Sequence, residues 1–176
     1  MAHSLDLRVV PLKTNLSQTA NRLEFGLDRR QTLVIAPNVI QHLLLERQLA
    51  QDSLESGGQL FADMRPQTIV VRQATGPYTE DRRRPFWFFP NRTQQRRDIK
   101  RLFKQSLHYI GDWHSHPENK PTPSISDLQA MADCFLKSRH QLESFLMIIV
   151  GTSPNPADFW ISLHDAVGYR RLSLLP

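Results

Sequence analysis

The sequence contains a single cysteine, Cys134, among 176 residues. One cysteine can form neither an intramolecular disulfide nor a cysteine-based zinc cluster, so any bound metal must have nitrogen and oxygen ligands. Because Cys134 falls in a helix-like stretch near Met131 and Phe135, we interpret it as a half-buried apolar side chain and not as a nucleophile.

Long apolar runs are also missing. The longest covers residues 145–150, far below the roughly 20 residues that span a bilayer. Residues 1–6 lack the basic start and apolar stretch of a signal peptide. We therefore expect a cytoplasmic protein without a membrane partner.

The composition is that of a folded protein with an excess of positive charge. Apolar residues make up 40% of the chain and charged residues 22%, which argues against disorder, and the length suits one domain. The formal net charge is +5, and much of the excess lies in the basic cluster, the Arg and Lys side chains of residues 82–104. Such a cluster attracts nucleic acid or an acidic protein, but it is more often a solvated helix face. We favour the solvated face and do not expect a nucleic-acid partner.

Strand-like and helix-like patterns alternate along the chain. Strands are predicted over residues 5–10, 32–36, 59–64, 68–73, 109–116, 145–150, 159–163 and 169–174. Helices are predicted over residues 37–51 and 99–107, and from Ser124 onward. Residues 78–91 are predicted to be a loop whose aromatic residues 86–89 pack into the interior. This order predicts the α/β class, as a single domain with a mixed sheet.

The segment from His114 to Pro117 carries the strongest chemical signal. Residues i and i+2 of a strand share a face, so His114 and His116 can present two imidazoles side by side. Asp127 lies in the helix predicted to begin at Ser124 and can supply a carboxylate. Two imidazoles and one carboxylate leave a fourth zinc position open for water, as in catalytic sites.

Other assignments of the acidic residues remain open at this stage. Ser124 and Asp127 also have capping-box spacing, and the two roles are compatible. Asp112 and Glu118 compete with Asp127 as ligand or base, and Asp112 is placed to orient one of the histidines. From the residues alone, Glu55 is a solvated acid at a helix end.

The full pattern His114-x-His116-Pro117-x6-Ser124-x2-Asp127 resembles the metal motif of the JAB/MPN (JAMM) metallopeptidases. Glu55, followed by Ser56, Gly57 and Gly58, resembles the glutamate element of prokaryotic members. The resemblance covers roughly residues 32–174. It implies a JAB/MPN-like fold over residues 23–176, with a mixed curved β-sheet flanked by helices, after an N-terminal extension or edge strand over residues 1–22.

This resemblance also implies a zinc-dependent isopeptidase. One zinc per chain would be held by His114, His116 and Asp127. Glu55 would act as general base, and Ser124 would donate a hydrogen bond to the oxyanion. The bond cleaved would be the amide that joins a protein C-terminus to a lysine.

Residues 111–118 and 121–124 are similar to the short bacterial JAB isopeptidases of type II CBASS anti-phage operons. That similarity implies a cyclic-nucleotide synthase, conjugated through its C-terminus, as substrate. It also implies an operon-encoded ubiquitin-activating or ubiquitin-conjugating homologue as partner. The alternatives are a JAB protease acting on a ubiquitin-like modifier, a scaffold without turnover, and a nucleic-acid-binding JAB-like protein that uses the basic helix.

Overall fold

The computed structural model describes residues 22–28 and 30–176. Its strands are β1 (Leu23–Gly26), β2 (Thr32–Ile35), β3 (Gly57–Met64), β4 (Thr68–Ala74), β5 (Arg82–Arg84), β6 (Trp87–Phe89), β7 (His108–Ser115), β8 (Phe145–Val150), β9 (Trp160–His164) and β10 (Tyr169–Arg171). Its helices are α1 (Pro37–Leu45), α2 (Arg92–Phe103) and α3 (Ile125–Lys137), with a 3-10 turn over Pro156–Asp158. The strand predicted at residues 5–10 lies outside the described residues.

One curved, mixed sheet organises the chain. The strand order is β1-β2-β4-β3-β7-β8-β9-β10, in which β2 with β4 and β7 with β8 are parallel pairs. The sheet curls until the segment after β10 returns to β1, where the Leu175 amide donates to the Glu24 carbonyl at 2.9 Å. The predicted α/β fold with a mixed curved sheet is confirmed.

Helices cover both faces of this sheet. Val39, Ile40 and Leu43 of α1 join the larger core on one face. Met131 of α3 packs on the other face against aromatic and aliphatic side chains of β8. Every residue of β8 is buried, as predicted from its continuous apolar sequence.

The helix predicted over residues 37–51 is shorter, because α1 ends at Leu45. Leu45 and Leu49 are exposed, so further helical turns would bury little apolar surface. The chain instead turns toward residues 82–89, where the Gln48 side-chain amide donates to the carbonyls of Ser53 and Pro85, each at 2.7 Å.

The loop predicted over residues 78–91 contains a hairpin formed by β5 and β6. Arg83 faces Phe88 in its register, and Arg84 faces Trp87. The prediction of buried aromatics is wrong for Phe86, Trp87 and Phe89, which are 75%, 37% and 52% exposed. Side chains alternate between the two faces of a hairpin, so Arg83 and Phe88 turn inward while their neighbours turn outward.

The helix predicted over residues 99–107 begins and ends earlier, since α2 spans Arg92–Phe103 with Asn91 as its N-cap. It presents its basic residues to solvent, as predicted. Arg96, Arg97, Lys100 and Arg101 are all exposed. No helix in the described part of the chain is long and apolar enough to cross a membrane.

His164 in β9 predicts a pH dependence of stability. The ring is buried, stacks on Tyr169, and its Nε2 lies 2.9 Å from the Ser162 hydroxyl. Burial lowers the pKa of His164 to about 4. In the unfolded chain, the His164 ring is therefore protonated below about pH 6.5, whereas in the native state it is protonated only below about pH 4. The contribution of His164 to the stability of the native state should therefore fall by up to about 3 kcal/mol as the pH drops through that window.

Urea titrations at pH 7, 5.5 and 4.5 measure this loss. We expect the free energy of unfolding of His164→Gln to rise relative to the wild type as the pH falls from 7 to 4.5, because the variant lacks the His164 loss. His108→Gln, at an exposed ring of β7, should keep a constant difference from the wild type. A constant difference between His164→Gln and the wild type would assign the pH dependence to other groups.

Candidate metal centre

A β-bulge in β7 determines which side chains reach the candidate site. Gly111 pairs with Leu60 of β3, and Tyr109 pairs with Phe61, so Ile110 is an extra residue in β7. The bulge places Ile110 and Trp113 in the α1-side core. His114 consequently projects to the opposite face, beneath α3, and His116 follows at the strand end.

The structure brings together the predicted metal ligands. The imidazole rings of His114 and His116 have centroids 4.9 Å apart. Asp127 lies across from both, with Oδ1 at 3.5 Å from the Nε2 of His114 and Oδ2 at 3.4 Å from the Nε2 of His116. Glu55 joins them, because ligand atoms of Glu55, His114 and His116 lie within 4.8 Å of one another.

Asp127 is held at the first turn of α3 by a capping box. The Ser124 hydroxyl accepts a bond from the Asp127 amide, and the Asp127 carboxylate accepts from the Ser124 amide at 2.7 Å. Burial acts to raise the pKa of Asp127, but the adjacent imidazoles of His114 and His116 outweigh it and hold that pKa well below its usual range. The carboxylate therefore stays ionised, as a metal ligand must.

Glu55 precedes β3 and lies beside the histidine pair because Gly57 is the cross-strand partner of His114. The residue is buried, at 8% exposure. Burial raises the pKa of Glu55 to about 7, while the charges of His116 and Arg83 act in the opposite direction. The carboxyl can therefore both accept and return a proton near neutral pH, and a neighbouring dication would favour its ionised form.

These side chains fit a divalent transition metal. The Nε2 of His114 is buried and has no hydrogen-bond partner among the residues that the structure describes, a costly state that coordination would relieve. Two imidazoles with a carboxylate are ligands that zinc accepts.

Glu118 and Asp112, the alternatives to Asp127 as ligand or base, lie in other surroundings. Glu118 is exposed and accepts a bond from the Thr122 amide. One carboxylate oxygen of Asp112 is buried and finds no hydrogen-bond partner in the described part of the chain, and burial raises the pKa of Asp112 to about 6. Neither residue approaches the histidine pair as Asp127 does, which favours Asp127 as the third ligand.

Ser124 lies at the edge of this cluster. Its hydroxyl donates to Oδ2 of Asp127 at 2.7 Å in addition to capping α3. The capping-box interpretation is thus confirmed, and the predicted oxyanion contact stays a prediction.

Two residues that hold Glu55 were not predicted from the sequence. The Ser115 hydroxyl accepts from the Ser56 amide at 2.9 Å, and Arg83 donates to the Glu55 carbonyl at 2.7 Å. Arg83 carries no distinguishing sequence signal, because it is the middle of three consecutive arginines.

The described chain thus combines a curved mixed sheet, a histidine pair at one strand end and an acidic residue on the following helix. Residues 37–162 match the family of prokaryotic homologs of the JAB domain, and the chain belongs to that family.

Named relatives cover most of the chain. A "CD-NTase/cGAS isopeptidase" from Escherichia coli is 31% identical over 144 residues, which are 80% of this chain and 87% of that protein. A protein of the same name from Vibrio cholerae is 31% identical over 132 residues, covering 73% and 80% of the two chains. A solution structure of a Desulfitobacterium hafniense protein matches with a TM-score of 0.58 at 18% identity, covering 80% of this chain and 90% of that chain, which supports the fold.

Proposed function

We propose that this protein is a zinc-dependent isopeptidase that hydrolyses the amide between a protein C-terminus and a lysine side chain. The observation that carries the proposal is the approach of both Asp127 oxygens to the two histidine Nε2 atoms, with Glu55 beside them. Relatives named isopeptidases support the reaction class.

His114, His116 and Asp127 would hold the zinc. A zinc ion held there would supply Lewis-acid polarisation of the scissile carbonyl and acidify the attacking water. Glu55 accepts the proton of that water as its oxygen adds to the carbonyl carbon. Glu55 then returns the proton to the leaving nitrogen as the C–N bond breaks, which yields a C-terminal carboxylic acid and a free lysine amine, and the acid then loses its proton to solvent.

Ser124 would assist by donating a hydrogen bond to the oxyanion. To do so, its hydroxyl hydrogen must turn away from Asp127, to which it donates in this structure. The serine amide keeps its own bond to Asp127, so the ligand would stay in place during that rotation.

The substrate we propose is a cyclic-nucleotide synthase conjugated through its own C-terminus in a CBASS anti-phage system. The names of the relatives support this choice over a ubiquitin-like modifier. An operon-encoded ubiquitin-activating or ubiquitin-conjugating homologue would form the bond that this enzyme removes.

Zinc content and cleavage of linear fusions test this proposal together. Each fusion joins the C-terminus of a candidate modifier to a reporter through a peptide bond. We expect one zinc per chain and cleavage directly after the last residue of the synthase, abolished by a chelator and restored by zinc. Cleavage only of a ubiquitin-like fusion would overturn the substrate assignment. Zinc-free protein would overturn the ligand assignment and favour the nucleic-acid or scaffold alternatives.

A further inference from the structure

The backbone around Glu55 is held from two sides. On one side, Ser115 of β7 exchanges bonds with Ser56: the Ser56 amide donates to the Ser115 hydroxyl at 2.9 Å, and the Ser115 amide donates to the Ser56 carbonyl at 2.8 Å. On the other side, the Glu55 amide donates to the Arg84 carbonyl of the hairpin at 2.9 Å. Glu55 therefore lies between the sheet and the hairpin.

The Arg83 side chain completes the second side. Its Nε donates to the Glu55 carbonyl at 2.7 Å, and its Nη2 donates to the Ser56 hydroxyl at 2.6 Å and to the Leu54 carbonyl at 3.3 Å. The acceptors belong to three consecutive residues centred on Glu55. Only the planar guanidinium fork, with donors at fixed angles, can hold three such acceptors at once.

Arg83 forms no ion pair within residues 22–28 and 30–176, although its charge acts to lower the pKa of Glu55. Its two neighbours in the arginine run are exposed, whereas Arg83 is half-buried beside Phe88. The Phe88 ring packs against the backbone of Gly57, where an added Cβ would lie 2.7 Å from the ring.

We infer that Arg83 is a positioning residue for Glu55: its guanidinium fixes the backbone of residues 54–56 and so sets where the Glu55 carboxylate stands relative to His114 and His116. The inference rests on the proposed function, in which Glu55 transfers protons. A proton acceptor must lie within about 2.6–3.2 Å of its donor, and a misplacement of about 1 Å can cost about 100-fold in rate. Arg83 touches neither the histidines nor Asp127, so its loss should leave the ligand set intact.

The test compares Arg83→Ala and Arg83→Lys with Arg47→Ala. Arg47 is a matched control, because it also donates to two backbone carbonyls, those of Leu44 and Thr152, each at 2.8 Å, and neither belongs to residues 54–56. The measurements are zinc content, kcat and KM on the cleaved fusion, and hydrogen exchange of the peptide that spans residues 52–57.

We expect Arg83→Ala to retain zinc and KM, to lose about 100-fold in kcat, and to exchange the Glu55 and Ser56 amides faster. Arg83→Lys should recover only part of kcat, since an ammonium cannot bridge the three acceptors in plane. Arg47→Ala should keep the wild-type kcat even where it lowers the melting temperature.

Four results would overturn the inference: wild-type kcat in Arg83→Ala, an equal kcat loss in Arg47→Ala, a loss confined to KM, or unchanged exchange at residues 52–57. The exchange measurement needs no turnover. A wild-type protein that cleaves no fusion would overturn the proposed function, and unchanged exchange would overturn the role of Arg83 separately.

Discussion

Glu55→Ala is expected to retain one zinc per chain while its cleavage rate falls by about 10²–10⁴-fold, the usual contribution of a general base. The physical reason is that the Asp127 oxygens already approach the Nε2 atoms of both histidines, so the proposed ligand set of His114, His116 and Asp127 does not include Glu55. His114→Ala or Asp127→Ala should lose both zinc and cleavage. Metal analysis of each purified variant, beside the fusion assay, measures the two quantities independently.

The control is Glu143→Ala, at an exposed glutamate remote from this cluster, which should keep zinc and rate. Loss of zinc in Glu55→Ala would mean that Glu55, His114 and His116 form the metal site, an arrangement that their mutual distances also allow. Full activity in Glu55→Ala would refute the general-base role.

Gly111→Ala is expected to destabilise the fold by at least about 3 kcal/mol, more than most single substitutions. Gly111 adopts φ +150°, a conformation that residues with a Cβ rarely take, and an added Cβ would lie 1.8 Å from the Leu146 carbonyl oxygen. That oxygen belongs to the backbone of the neighbouring strand β8 and cannot move aside without disturbing the strand pairing. Urea denaturation at pH 7 measures the change.

The matched control is Gly168→Ala, where an added Cβ would have no atom within 4 Å. Its free energy of unfolding should stay within about 0.5 kcal/mol of the wild type. Equal midpoints for the two variants would show that β7 and β8 can separate locally at little cost.

The long elements of the fold were predictable because their side-chain patterns are strong. Continuous apolar residues predicted β8, and the alternation after Gly111 predicted most of β7. The hairpin was not predictable, since each of its strands has three residues and one of them is entirely arginine. The early end of α1 depends on Gln48 bonding to Pro85, a contact between segments distant in sequence.

The candidate site likewise combines residues that local sequence spacing predicts with residues that only tertiary contacts bring together. The histidine pair and the Ser124–Asp127 cap follow from local spacing. Glu55 comes from a separate part of the chain and reaches them only through the pairing of Gly57 with His114, so the residues alone gave it no role and only the family resemblance did. The role of Arg83 depends on its tertiary contact with the Glu55 carbonyl, which neither the residue pattern nor the family resemblance indicated.

The bulge at Ile110 determines which residues of β7, the even-numbered or the odd-numbered ones, face the candidate site. From Asp112 to His116, even-numbered positions face α3 and odd-numbered positions face the core beneath α1, whereas before the bulge the odd-numbered Tyr109 faces α3. Deleting the one extra residue between Tyr109 and Gly111 would exchange the two sets. The Trp113 side chain would then face α3, and the imidazoles of His114 and His116 would point into the apolar core beneath α1. Every residue of the motif would survive in the sequence, yet the motif would no longer encode a site.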